Sequence, residues 1–183
     1  DAVIDNIRHS LGQIEPAMFD RACALVADNT RHVYIVGGRI THTLAEYMFL
    51  HMQVIRPQIT HIQSTSNTWP HYLLDVKKGD VFVIFDMRRY ENNTLKLAEM
   101  AHAQGAEIIL FTDQWRSPIH RLAGICFSSR IVVPSAWDSM ATPLLLVETM
   151  ISSVQNLNWK GTKTRMEGLE DMFDQTKLFR KFT

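Results

Sequence analysis

Cysteine is nearly absent: only Cys23 and Cys126 occur in 183 residues. Each lies in an apolar stretch, the setting of a reduced core thiol, so the fold is not expected to rest on a disulfide. Eight glycines and six prolines are too few for a collagen-like or low-complexity chain. Excess charge of either sign is missing, with 19 Lys and Arg against 19 Asp and Glu. A neutral chain has no electrostatic support for clamping nucleic acid by itself, because such binding needs cations to displace counterions. No apolar run approaches the ~20 residues of a membrane span; the longest, around Pro143–Val147, stops at Glu148. No signal peptide is visible, and a cytoplasmic chain without membrane contact is expected. The chain starts at Asp1 rather than Met, as a fragment would.

What the sequence does have is a rhythm of helical stretches and short apolar runs. Strands are predicted at His32–Val36, Gln58–Gln63, Val81–Phe85, Glu107–Phe111 and Gly124–Phe127. Val81–Phe85 (VFVIF) shows no polar alternation, the mark of a strand covered on both faces. Helices are predicted from Pro16 through Val26, over Thr41–Ile55, Trp69–Leu74, Asn93–Gln104, Ser139–Leu157 and Arg165–Phe173. Pro143 must lie near the start of its helix, either opening it behind a Thr142 cap or following an irregular turn. Strand–helix alternation predicts a parallel sheet between helical layers, an α/β/α sandwich of five strands in the flavodoxin-like order 2-1-3-4-5. One domain over 1–183 is expected, its core about residues 20–157.

In such sheets ligands sit beyond the carboxyl ends of the strands. Those ends carry Gly37-Gly38-Arg39-Ile40-Thr41, then Ser64-Thr65-Ser66-Asn67, then Asp86-Met87-Arg88-Arg89-Tyr90 through Thr94, then Thr112-Asp113. Glycines let backbone N–H groups approach a ligand, hydroxyls donate to phosphate oxygens, and a helix N-terminus favours an anion. Arg88 and Arg89 add fixed cations. The content points to an acidic ligand, although each piece has a plainer use. Gly37-Gly38 is neither a dinucleotide fingerprint nor a P-loop and serves a tight turn equally well. Ser64 and Ser66 suit a turn and cap, Arg88-Arg89 a solvated pair, and Asp113 a cap for the next turn.

His42, His51, His61 and His71 read as surface or satisfied positions, without paired metal-ligand spacing, so no metal site and no cofactor are expected. No Gly-x-Ser-x-Gly elbow supports a hydrolase triad. Glu148 interrupts an apolar run, where an unpaired carboxylate is costly to bury. It is either an interface ion-pair partner or a functional carboxylate facing the pocket.

Four stretches together resemble a known family: VYIVGGRITHTLAEYM (33–48), KKGDVFVIFDMRRYENNTLKLAEMAHAQGAEIILFTD (77–113), SPI (117–119) and WDSMATPLLLVETM (137–150). They resemble the SIS (sugar isomerase) domain, in the version found at the C-terminal end of RpiR/MurR-type bacterial transcription regulators. The resemblance implies a phosphosugar or related metabolite as ligand and helix-mediated pairing. It also implies DNA binding through an N-terminal helix-turn-helix domain, for which Asp1–Thr30 offers no basic recognition helix. The family's third strand often ends Ser-x-Ser-Gly-x-Thr, whose hydroxyls hold the phosphate; here Asp86-Met87-Arg88-Arg89-Tyr90 stands there, with Thr94 as the match to the final Thr. Its first strand often ends Gly-x-Gly-x-Ser; Gly37 fits, Thr41 fits conservatively, and Arg39 departs.

Three functions follow as expectations. The first is an anion-sensing effector domain, its pocket built from the backbone around Gly38–Ile40 with Thr41, from Ser64 and Ser66, and from Arg88 and Thr94. The second is an aldose–ketose phosphosugar isomerase with Glu148 as base. The third is a dimerisation module with a decayed pocket, its arginines pairing with Asp86 and Glu91. The 139–157 helix is more apolar than one buried stripe needs, so a homodimer through Leu145, Met150 and Val154 is expected.

Overall fold

The computed structural model describes residues 1–63, 66–177 and 179. Five parallel strands, β1 (Val33–Gly37), β2 (Ile59–Ile62), β3 (Val81–Phe85), β4 (Glu107–Asp113) and β5 (Ile125–Ser129), form one sheet in the predicted order β2-β1-β3-β4-β5. Their side chains alternate between two cores. Val33, Ile35, Val83, Phe85, Ile109 and Phe111 pack against α2 (Pro16–Ala27), α3 (His42–Ile55) and α6 (Ala141–Leu157). Tyr34, Val36, Phe82, Ile84 and Leu110 face α4 (Trp69–Leu73) and α5 (Asn92–Ala103). Phe85, Phe111 and Phe127 form a ladder across the sheet, with centroids 4.8 and 5.1 Å apart. Gly37 is level with Phe85, and Phe85 with Phe111. The residues that follow these three therefore share one rim.

Two helices depart from expectation. α1 (Ala2–Leu11) precedes the first predicted helix, and α7 (Trp159–Thr176) is twice the length predicted there. α7 docks on the end of α3 by capping carbonyls that have no partner within their own helix. Arg165 Nη2 donates to Gln53 O at 2.7 Å and Nε to Val54 O at 3.2 Å, and Thr162 Oγ1 donates to Ile55 O at 3.3 Å. α6 begins at Ala141, which puts Thr142 inside the first turn and not at its cap.

The surplus apolarity of α6 is absorbed within the chain. α1, α2, α3 and α7 all pack on it, and Met150 and Val154, expected at a dimer interface, are fully buried in the larger core. Leu145 is half-buried. His61, expected at the surface or satisfied, is half-buried on β2, stacks on Phe49 at 5.7 Å, and leaves Nε2 without a partner among the described residues. Both cysteines are free thiols, and burial pushes Cys23 up to about 11. Among the described residues no helix is long and apolar enough to cross a membrane.

Candidate functional site

The rim at the carboxyl ends of β1, β3 and β4 brings most of the expected residues together. Gly37 ends β1 where the first turn of α3 crosses it; a Cβ there would lie 2.5 Å from Thr41 O and 2.6 Å from His42 N. Thr41, buried at the start of α3, ties the turn to β3. Its Oγ1 donates to Phe85 O at 2.7 Å and accepts from Gly38 N at 2.9 Å. The Thr41 hydroxyl and the Gly38 N–H, both expected to face a ligand, are thus engaged within the fold. Arg39 is exposed, and its backbone N–H donates to Glu91 Oε1 at 2.6 Å. A carboxylate of the chain itself therefore sits on the donor read as part of an anion cradle.

Arg88 follows the same pattern. Its Nε donates to Asp138 Oδ2 at 2.8 Å and its Nη2 to Asp138 Oδ1 at 2.5 Å, a two-pronged pair. The guanidinium also lies 4.4 Å from the centre of the Trp115 ring. Its partner is Asp138, not Asp86 or Glu91, the two acids read as alternatives. Arg89 is exposed, and Thr94 is buried on the first turn of α5. Ser64 lies outside the described residues, and Ser66 opens a short 3-10 turn over 66–68. Glu148 is exposed on α6 and accepts from Tyr47 Oη at 3.0 Å. It is neither buried nor ion-paired among the described residues.

Beneath the arginine sit two buried acids that hold the β3–α5 loop. Asp113 caps the turn after β4, as expected, accepting from Trp115 N at 2.9 Å. It also accepts from Arg88 N at 2.7 Å and from Tyr90 Oη at 2.7 Å, which raises the Tyr90 phenol after burial has done so. Asp86, 2% exposed, accepts from Ser117 Oγ. Burial pushes its carboxyl up to about 6, and the charges of Glu91 and Asp113 add to this against the hydrogen bonds from Ser117 and the Glu91 backbone. The strand-end reading did not include Asp138, Trp115 or Ser117, and it named Tyr90 without a role.

The raised Asp86 pKa has a stability consequence. The unfolded carboxyl gives up its proton near 4 and the native one near 6. In that window the native state binds more protons, so this group's contribution falls as pH rises from about 4 to about 6. Asp86→Asn, uncharged and of the same shape, is expected to lose that slope. Its stability relative to the unaltered chain should rise by on the order of 3 kcal/mol between pH 4 and 7. Urea denaturation of both proteins at each pH reads the difference; parallel profiles would exclude the effect.

The comparisons with known proteins agree with this architecture. The family model of the SIS domain matches residues 28–153. The sugar isomerase domain of an RpiR transcription factor from Sphaerobacter thermophilus superposes with a TM-score of 0.84 at 17% identity, covering 92% of this chain and 93% of that one. The NanR protein of Vibrio vulnificus, complexed with ManNAc-6P, gives 0.75 at 13% identity over 94% of this chain and 66% of that one. A phosphoheptose isomerase from Francisella tularensis gives 0.67 at 14% identity, covering 85% and 93%. A search of curated proteins finds no significant match. With a five-stranded parallel sheet in this order and the family model matched over most of its length, the chain belongs to the SIS domain family.

Proposed function

We propose that this chain is one effector-binding SIS domain of a transcription regulator, without catalysis, and that it takes a phosphosugar or similar acidic metabolite at the strand rim. The observation that carries this reading is that two rim donors already hold carboxylates: Glu91 on the Arg39 N–H, and Asp138 on the Arg88 guanidinium. Both pairs are at the surface, with Arg88 45% exposed, where an ion pair is worth ~0–1 kcal/mol. A phosphate with more charge and three acceptor oxygens can displace both. Displacing Asp138 breaks the tie between the β3–α5 loop and the stretch that leads into α6. Ligand occupancy is thereby coupled to the helical layer, and such couplings run to ~1–3 kcal/mol.

In this reading two domains pair and pass the change to a DNA-binding domain outside the chain. Trp159 and Met166, exposed on α7, are apolar side chains available for pairing. The non-catalytic reading is supported by Glu148, the one base read from sequence, which is exposed and accepts a hydrogen bond from Tyr47.

The test is a thermal-shift screen of phosphosugars that includes ManNAc-6P, the ligand of a structural relative. At about a hundred times its Kd, a true ligand stabilises by ~2.7 kcal/mol, or about 5–10 °C for a chain of this size. Arg88→Ala is expected to abolish the shift, and Glu91→Ala, which clears the Arg39 N–H, to enlarge it. A screen without a hit, or a shift that survives Arg88→Ala, would refute the rim assignment. Isomerase turnover lost in Glu148→Ala would establish the enzyme instead.

A further inference from the structure

The rim is rich in acids, but a second hollow of the molecule has none. A cavity of about 500 Å³ opens between α1 and the carboxyl ends of β4 and β5, with Asn6, His9, Ser10 and Gln13 on the helix side. The sheet side carries Arg116 and Arg130, and no Asp or Glu lines the cavity. Both arginines are exposed, and neither meets a carboxylate among the described residues. The Arg88 site is the opposite case, since its cation is already neutralised.

The hollow also contains a hydroxyl that the fold does not use. Ser129, at the end of β5, is 1% exposed, and its Oγ has no hydrogen-bond partner among the described residues. Burying a hydroxyl without a partner is costly, and such a group in a polar cavity calls for an occupant. Other donors surround it. Gln114 Oε1 accepts from Ile131 N at 3.1 Å, which leaves its NH2 to donate. Gln13 Nε2 and His9 Nε2 lie 2.8 Å apart. Arg116 sits at φ +62°, a left-handed conformation that non-glycine residues seldom adopt.

We infer that this hollow is a second ligand site, distinct from the one at Arg39 and Arg88, for a phosphate-sized oxyanion held by Arg116, Arg130 and the Ser129 hydroxyl. Two guanidiniums supply paired donors matched to a phosphate, and the hydroxyl and amide supply more donors than a carboxylate can take. α1 is tied to the residues that follow β5 by polar contacts, Asn6 Nδ2 donating to Val132 O at 2.7 Å and Arg130 N to Ser10 Oγ at 2.9 Å. An oxyanion between His9 and the two arginines therefore fastens α1 to the edge strand.

The probe is inorganic phosphate, titrated at constant ionic strength against acetate and followed by NMR of the arginine Nε–H groups and the α1 amides. Phosphate is expected to move the Arg116 and Arg130 signals and to slow amide exchange in α1, with acetate having a weaker effect. Arg116→Gln with Arg130→Gln should weaken binding at least tenfold and keep the fold, since both side chains are exposed. Ser129→Ala separates the roles: with no partner to lose it should not reduce stability, yet it should weaken phosphate binding several-fold. If phosphate moves only Arg88 and the Arg39 amide, or binds the double variant and Ser129→Ala unchanged, the second site does not exist. Arg88→Ala should leave phosphate binding in this hollow intact, so its failure and failure of the rim assignment are read apart.

Discussion

Gly37→Ala is expected to cost about 3 kcal/mol or more and, on the proposed function, to abolish ligand binding at the rim. The added methyl would lie 2.5 Å from Thr41 O, 2.6 Å from His42 N and 2.6 Å from Thr41 C, all backbone atoms of the crossing turn. No rotamer change relieves contact with backbone, so α3 must move away from β1. Overpacking of this kind costs ~1–3 kcal/mol where side chains can yield, and more where they cannot. Moving the turn also breaks the two Thr41 bonds that join β1, β3 and α3. For a chain of this size ~3 kcal/mol corresponds to a fall in Tm of about 6–12 °C, read by calorimetry. Gly38→Ala is the control. Its methyl would meet the Glu91 carboxylate at 2.9 Å, the far end of a flexible side chain, and it should cost far less. Equal losses in the two variants would show that the close crossing at Gly37 is not the reason for its glycine.

The contrast between these glycines shows how far the sequence could be read. The strands were legible because β1 and β3 are unbroken runs of β-branched and aromatic residues buried at every position, and their order followed from parallel pairing. α1 was not legible for a physical reason. Its buried positions are the polar Asn6 and Ser10, while Val3, Ile4 and Leu11 are exposed, so apolar periodicity does not mark its packed face. The apolar surplus of α6 was read correctly but given the wrong partner. Helices of the same chain cover Met150 and Val154, and hydrophobicity does not say which surface does the covering.

Within the rim, position was legible and pairing was not. Asp86 and Asp113 follow from strand ends alone, and Asp113 does cap its turn. Which acid Arg88 meets depends on a contact across 50 residues of sequence, between the β3–α5 loop and the stretch before α6. Nothing local distinguishes Asp138 from Asp86 or Glu91 as that partner. The occupied donors also change the meaning of the arginines. In the proposed reading a ligand competes there with the chain's own carboxylates, so its binding would carry a conformational consequence that a vacant cationic pocket would lack.

Arg56→Met is the other substitution with a large expected effect, on the order of 4 kcal/mol of stability lost. Arg56 is fully buried at the end of α3. Its guanidinium donates to three carbonyls: Val26 O at the end of α2, Arg31 O before β1, and Pro57 O at 3.0 Å. Burial lowers its pKa to about 10, and the charge of Asp28 opposes that fall, so it stays protonated at neutral pH. Hydrogen bonds to a charged donor contribute ~1.5–3 kcal/mol each. The desolvation of the cation offsets part of that sum. Methionine keeps most of the volume and removes every donor, leaving the Val26 carbonyl, at the open end of its helix, and the Arg31 carbonyl without the guanidinium that caps them. Urea denaturation should show a lower midpoint at an unchanged m-value, and Tm should fall by about 8–16 °C. Arg56→Lys, which keeps the charge but loses the planar fork that reaches three carbonyls at once, should fall between. A loss below about 1 kcal/mol in Arg56→Met would mean that the gain from the three bonds barely exceeds the cost of burying the cation, as happens for some buried charges.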